Sequence, residues 1–221
     1  MVIYDPVAEF TELFSEEEPT QLPPFREPLE ILQHKIDMIP NSVWKPRFLC
    51  TYNRFQDQIS KKIITELETG RIVRSKSSNS IGMYIQPKRD KLQEARFLLY
   101  CIARNLVTHE DMTPMASMVQ IEDFIGSRPC RSKLDLKDGW HNIRFHADSV
   151  TDSTFTCHMG KFDSLVMRQG DCDALATRMR AMNYLFTKVK DQMIYLHNIL
   201  IANHTYEEHI NTIRQVLQIG K

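Results

Sequence analysis

The sequence has few of the residues that mark fibrous, secreted or membrane proteins. Its 221 residues include 7 glycines and 10 prolines, too few for a collagen-like or linker-like chain. The longest apolar run, residues 97–103, is far shorter than the roughly 20 residues of a membrane helix. The N-terminus has no basic and apolar pattern of a signal peptide. These absences predict a globular intracellular protein, cytoplasmic or nuclear, with no membrane partner.

Cysteine and histidine are present but follow no metal-binding or disulfide pattern. The 5 cysteines are odd in number and include no C-x-x-C pair, which indicates free thiols in a reducing compartment. The 8 histidines show no H-E-x-x-H spacing, and no G-x-S-x-G motif indicates a serine hydrolase. The sequence therefore predicts no metal, no cofactor and no small-molecule substrate.

The net charge of zero is the sum of two oppositely charged regions of the chain. The 28 basic and 28 acidic residues cancel over the whole chain, but residues 1–30 carry a net charge of −7 and the rest +7. This pattern predicts an acidic N-terminal segment on a basic body, and the segment is expected to lie over the basic surface and shield it. The net charge alone is therefore not an argument against a nucleic-acid partner.

Residues 61–104 are the most basic stretch and form a candidate surface for RNA or DNA. The alternative is a solvated helix face followed by a charged turn, with no ligand. The candidate nucleic-acid contacts are Lys61, Lys62, Arg71, Arg74, Lys76, Lys88, Arg89 and Lys91.

The spacing of apolar residues predicts a mixture of helices and strands. Apolar positions recur every three or four residues over 54–69, followed by Gly70, which indicates an amphipathic helix and its end. Residues 174–189 and 206–219 predict two more helices. Strands are expected at 82–87 and 96–103, and a tight hairpin at 192–202 with His197 and Asn198 at its tip. Because the strands and helices do not alternate regularly, the fold class is α+β.

Several motifs, in one consistent order, resemble the reverse transcriptases of gypsy-type LTR retrotransposons. Residues 132–144 resemble the first palm motif, residues 162–170 the hairpin that leads into the second, and residues 195–201 the Tyr-Leu-Asp-Asp hairpin. Residues 22–26, 34–37, 74–78 and 205–209 also match in order and spacing. The resemblance covers about residues 10–219. It implies a polymerase-type palm and fingers, without thumb, connection or RNase H in the residues given.

A departure from the family's metal-binding motif implies that polymerase activity has been lost. The family holds two Mg²⁺ ions with three aspartates, whereas this sequence has Asp135, His197 and Asn198 in those positions. Mg²⁺ prefers anionic oxygen ligands, so histidine and asparagine are poor replacements. Asp135 is alternatively a hydrogen-bonded strand-end carboxylate, or with His197 part of a Zn²⁺ or Mn²⁺ site. The expectation is that this chain is not an enzyme.

Three further places that the resemblance relates to nucleotide binding also differ from the family. Ile102 stands where the family has an arginine that contacts the triphosphate, and Arg168-Gln169-Gly170 replaces Pro-Phe-Gly. Trp140 occupies the place of the aromatic residue beside the sugar, where it is expected to crowd an incoming nucleotide.

The sequence therefore predicts a domesticated, inactive reverse-transcriptase-like protein with three regions. Residues 1–30 form the acidic segment, 31–125 the fingers-like region with part of the palm, and 126–221 the palm-like region. The expected function is a homodimerising interaction module, with the apolar face of the last helix either in the core or at the dimer interface. The alternative is binding of RNA or DNA without sequence specificity. The residues proposed for the interface are Ile210, Ile213, Val216 and Leu217.

Overall fold

The structure is a computed structural model of the 221-residue chain. It describes residues 4–14, 21–25, 27–44, 53–87, 89, 93, 95–136 and 139–220. None of the helices in these ranges is long and apolar enough to cross a membrane.

Helices and strands are mixed along the chain, which confirms the α+β prediction. The helices are α1 (Pro6–Glu9), α2 (Leu29–Leu32), α3 (Gln56–Glu68), α4 (Ile102–Asn105), α5 (Met118–Gly126), α6 (Ala174–Leu185) and α7 (Tyr206–Gly220). The strands are β1 (Gln33–His34), β2 (Ile72–Arg74), β3 (Ile81–Pro87), β4 (Ala95–Tyr100), β5 (Cys130–Asp135), β6 (Arg144–Phe145), β7 (Phe155–Cys157), β8 (Gly160–Ser164), β9 (Gln192–Tyr195) and β10 (Asn198–Asn203).

The chain divides into two compact units built from interleaved stretches. The hairpin unit consists of residues 1–18, 113–139 and 179–221, and the five-stranded unit consists of residues 19–112 and 140–178. The sequence-based division at residues 30 and 125 was contiguous, and the assignment of its regions to fingers and palm stays a prediction.

The five-stranded unit is built on a sheet with the strand order β2-β8-β7-β3-β4. Its core joins sheet residues such as Phe155 and Phe162 to Ile59 and Ile63 of α3, and each of these four side chains is at most 1% exposed. The apolar spacing of α3 explains this contact because residues four apart lie on the same helix face. Gly70, at φ 69°, follows the helix end and takes a backbone conformation that favours glycine.

The hairpin unit contains a three-stranded antiparallel sheet with the order β5-β10-β9. Helix α7 packs on β10 and β5. The inward-facing residues Ile194, Ile199 and Ile201 are each at most 4% exposed, as expected for a sheet with one face in the core.

Some element boundaries differ from the predicted ones. The strand predicted over 96–103 ends at Tyr100, and α4 begins at Ile102. Helix α6 ends at Leu185 rather than at residue 189. These shifts are three and four residues, typical where apolar residues continue past the end of an element.

Candidate functional site

Three strand ends of the hairpin unit bring Asp135, His197 and Asn198 together. Asp135 ends β5, and its Cα is paired with that of Asn198 at the start of β10. The Leu136 N–H donates a hydrogen bond of 3.2 Å to the His197 carbonyl. The β9–β10 hairpin predicted from the sequence is confirmed, but its tip lies one residue earlier than predicted. The turn consists of Leu196, with a φ of 53°, and His197, because Asn198 is already paired with Tyr195.

This site presents one carboxylate, one imidazole and one amide. Asp135 and His197 are exposed and Asn198 is half-buried. Within the described part of the chain, the carboxylate of Asp135 makes no hydrogen bond or ion pair, and the buried Oδ1 of Asn198 accepts no hydrogen bond. Among all the residues that the structure describes, no group of three or more His, Cys, Asp or Glu side chains could hold a metal ion.

A buried hydrogen-bond chain connects the strand that carries Asp135 to its neighbours. Ser132 Oγ lies 2.8 Å from His209 Nε2, and His209 Nδ1 lies 2.9 Å from Asn203 Oδ1. The Asn203 amide donates to Thr212 Oγ1 at 3.1 Å, so its oxygen accepts from His209 and the ring accepts from Ser132. Burial lowers the pKa of His209, which favours this neutral ring. The chain therefore fixes β5, β10 and α7 to one another.

The apolar face of α7 is a core contact, which corrects the predicted dimer interface. Ile213, Val216 and Leu217 are each at most 7% exposed, and Ile210 is half-buried. These side chains pack inside the hairpin unit because α7 covers β10 and β5. The spacing alone fitted both alternatives, and the structure selects the core.

The predicted basic contacts divide into exposed, paired and buried residues. Lys61, Arg74, Lys76 and Arg89 are exposed in the five-stranded unit. Lys62 is half-buried, with its Nζ 3.6 Å from Glu66 Oε1. Lys88 and Lys91 lie outside the described residues.

Arg71 does not belong to the predicted basic surface. Its side chain is 3% exposed, so it belongs to the interior of the five-stranded unit and not to a basic surface. The prediction was wrong because it treated Arg71 as exposed, as most arginines are.

The five-stranded unit contains two buried ion pairs that the sequence did not indicate. Arg104 Nη2 donates to Asp171 Oδ1, and both side chains are at most 3% exposed. Arg168 binds both oxygens of the buried Glu66 at 3.0 and 2.6 Å. The partners are 67 and 102 residues apart in the sequence, so no local spacing could have revealed them.

The positions that the resemblance relates to nucleotide binding have other surroundings here. Ile102 begins α4 and is 56% exposed. Trp140 is half-buried, with the Arg178 guanidinium 5.3 Å from the centre of one of its rings. Arg168 is held by Glu66, as described above, so its side chain has a structural role in this unit.

Residues 4–14 of the acidic segment pack on α7 within the hairpin unit. Arg214 Nε donates to both carboxylate oxygens of Glu9 at 3.0 and 3.1 Å. The guanidinium of Arg214 also lies 4.6 Å from the ring centre of Tyr4, and Phe10 is 3% exposed. Glu9 is thus neutralised by the last helix. Glu16, Glu17 and Glu18 lie outside the described residues.

Sequence comparison finds retrotransposon polyproteins as relatives. Over 164 residues the chain is 26% identical to the retrovirus-related Pol polyprotein from transposon 297 of Drosophila melanogaster, covering 72% of the chain and 16% of that protein. It is 29% identical over 154 residues to the transposon Tf2-7 polyprotein of Schizosaccharomyces pombe, covering 69% of the chain and 11% of that protein. No family model matches the chain.

Structure comparison finds the fold of a foamy viral protease–reverse transcriptase. The chain matches that protein in complex with double-stranded DNA with a TM-score of 0.81 and 19% identity, covering 96% of this chain and 36% of the other. In complex with an RNA/DNA hybrid the match has a TM-score of 0.78 and 18% identity, over 96% and 28% of the two chains. At these identities the likeness establishes the fold, and this chain spans about a third of the protein it matches.

Proposed function

We propose that this chain is a reverse-transcriptase-like module that binds nucleic acid and does not polymerise it. The observation that carries the proposal is the pairing of Asp135 with Asn198, and not with a second carboxylate, beside His197 at the turn of the hairpin. The relatives among retrotransposon polyproteins and the fold shared with a reverse transcriptase support a polymerase origin.

The loss of activity follows from the charge at this site. A two-metal mechanism places about four positive charges between the attacking and leaving oxygens, and the family balances them with three aspartates. Here Asp135 is the one carboxylate among the three residues. Histidine prefers softer metals, and the amide of asparagine is neutral. Ile102 adds to the effect because an aliphatic side chain cannot bind triphosphate oxygens as a guanidinium does.

Nucleic-acid binding is supported by the exposed cations of the five-stranded unit. Lys61, Arg74, Lys76 and Arg89 are available to phosphates, and sequence-independent binding rests on such contacts. The foamy viral protein that shares the fold is seen with double-stranded DNA and with an RNA/DNA hybrid. The interaction is proposed here to be independent of base sequence.

The origin proposed for this chain is a gypsy-type retrotransposon, followed by domestication to a role inside the cell. The motifs at 132–144, 162–170 and 195–201 support this origin, as do the polyprotein relatives from Drosophila and fission yeast.

Two assays test the main proposal. Primer extension on a homopolymer template with Mg²⁺ or Mn²⁺ is expected to give no product, and a processive product would contradict the loss of activity. A gel shift with single-stranded DNA is expected to show binding that falls steeply between about 50 and 200 mM salt, because counterions are released when phosphates are bound. Absence of a shift at the lower salt would rule out nucleic-acid binding.

Homodimerisation is the second candidate function, and a different surface now favours it. Met115, Met118 and Val119, at and just before the start of α5, are 48%, 59% and 65% exposed. Neighbouring exposed apolar side chains are typical of protein interfaces. Light scattering at micromolar concentration is expected to show twice the monomer mass of 25.9 kDa. A Met118→Glu variant should be monomeric, and a wild-type chain that scatters as a monomer would contradict this function.

A further inference from the structure

The face of the hairpin unit that carries Asp135 also carries two cations. Side chains along β5 alternate, with Arg131, Lys133 and Asp135 exposed and the residues between them half-buried. Residues two apart in a strand point to the same side and lie about 7 Å apart. Lys133 and Asp135 are therefore neighbours on one exposed face, a spacing that a single nucleotide covers.

The two neighbours are available to a ligand. In the part of the chain that the structure describes, neither the Lys133 nor the Asp135 side chain has a hydrogen-bond or ion-pair partner. Arg131 differs, because its Nε donates to the Arg128 carbonyl at 2.6 Å. Lys133 is thus the cation of this face whose side chain forms no ion pair or hydrogen bond with a described residue.

Asn198 completes the arrangement across the sheet. Its Cα is paired with that of Asp135, and the pairing places both side chains on the same face. The amide oxygen is buried without a hydrogen bond from any described residue, so no such bond fixes the orientation of the amide. The side-chain amide can therefore turn its NH₂ group toward a ligand on this face.

We propose that this face binds the backbone of an RNA strand without a metal ion. A phosphate lies against Lys133, and a ribose 2′-hydroxyl lies between Asp135 and Asn198. The hydroxyl donates a hydrogen bond to the carboxylate and accepts one from the amide NH₂, a pairing that DNA cannot make because it lacks the 2′-hydroxyl. This inference rests on the proposed nucleic-acid binding and adds a preference for RNA together with the residues that produce it.

The test compares strands that differ in the 2′-hydroxyl. Binding of labelled oligo(U) and oligo(dU) of equal length is measured by fluorescence anisotropy in EDTA at about 50 mM salt, where phosphate contacts are strong. Oligo(U) is expected to bind about 5- to 10-fold more tightly, the effect of one or two hydrogen bonds. Equal binding of the two strands would overturn the inference and leave the proposed function standing. Absence of binding to either would overturn both.

Asp135→Ala separates hydrogen bonding from simple charge repulsion. Removal of any acid should raise the affinity for both polyanions, but under the proposal the RNA-to-DNA ratio also falls toward one, because the hydroxyl keeps only its bond to Asn198. The matched control is Asp123→Ala, an exposed aspartate on α5, which should leave the ratio unchanged. If Asp135→Ala keeps the ratio of the wild type, the carboxylate does not bind the hydroxyl and the inference is wrong.

Lys133→Gln tests the phosphate contact. It is expected to weaken the binding of both strands and to lower the slope of affinity against salt by about one phosphate contact. The control is Lys188→Gln, since Lys188 is exposed in the same unit but lies away from β5 in sequence and outside the strands. Equal effects of the two variants would show that Lys133 acts through net charge alone and would overturn its role in the site.

Discussion

Replacing Arg104 by methionine is expected to lower the free energy of unfolding by about 3 to 5 kcal/mol, because it leaves a buried carboxylate without its cation. Arg104 Nη2 donates to Asp171 Oδ1, and Nη1 donates to the Asp152 carbonyl at 3.0 Å. The second Asp171 oxygen lies 3.6 Å from His34 Nε2. Methionine keeps much of the length of the arginine side chain and removes its positive charge. Urea unfolding followed by circular dichroism measures the difference.

Two controls identify the buried pair as the cause. Arg96→Met removes an exposed arginine of the same unit and should change stability by no more than about 0.5 kcal/mol. The double variant Arg104→Met with Asp171→Leu should recover much of the loss, because apolar side chains often replace a buried pair at little cost. A single variant as stable as the Arg96→Met control would contradict the importance of the pair.

The same pair predicts how stability depends on pH. Buried beside Arg104, Asp171 has its pKa lowered from 3.8 to about 2, chiefly by the guanidinium charge acting against the cost of burial. A carboxyl with a lowered folded-state pKa stabilises the protein above its unfolded-state pKa. That contribution is lost as the pH falls from about 4 to about 2. In Arg104→Met this part of the acid dependence should be reduced.

Restoring two carboxylates at the hairpin is expected to create a metal site where none is proposed now. In the double variant His197→Asp with Asn198→Asp, the new carboxylates stand at the hairpin turn and directly opposite Asp135. Such a cluster suits Mg²⁺ or Mn²⁺. Without metal the like charges should lower stability. Mn²⁺ at about 100 times its Kd should add about 2.7 kcal/mol, because it binds the folded state.

Thermal unfolding with and without Mn²⁺ measures this gain. The double variant His197→Ser with Asn198→Ser changes the same positions without adding carboxylates, and neither it nor the wild type should respond to Mn²⁺. The aspartate variant is still expected to lack primer extension, since Ile102 and Trp140 remain. If it does not respond to Mn²⁺, positions 135, 197 and 198 do not converge as the strand register indicates.

Local patterns in the sequence predicted those parts of the fold that local contacts determine. The four-residue spacing of Phe55, Ile59 and Ile63, followed by Gly70, predicted α3 because residues on neighbouring turns share a helix face. The β9–β10 hairpin was predicted from its tight turn. The proximity of Asp135 to that hairpin came from the resemblance to reverse transcriptases, and strand pairing in the structure agrees with it.

The remaining features depend on residues far apart in the chain. Nothing near Arg168 in sequence indicates that its partner is Glu66, and nothing near Ser132 indicates His209. The apolar face of α7 fitted a core or an interface equally well, since periodicity shows which residues share a face but not what covers them. Arg71 was misplaced for the same reason, because its burial is a property of the assembled unit.

The interleaving of the two units has a consequence for the order in which the chain folds. During synthesis the five-stranded unit has all its residues once residue 178 is made, whereas the hairpin unit also needs residues 179–221. Its contact between Glu9 and Arg214 joins positions 205 residues apart. Such distant contacts form slowly because a long loop must close first. We therefore expect the N-terminal residues of the hairpin unit to stay unpacked until α7 has been synthesised.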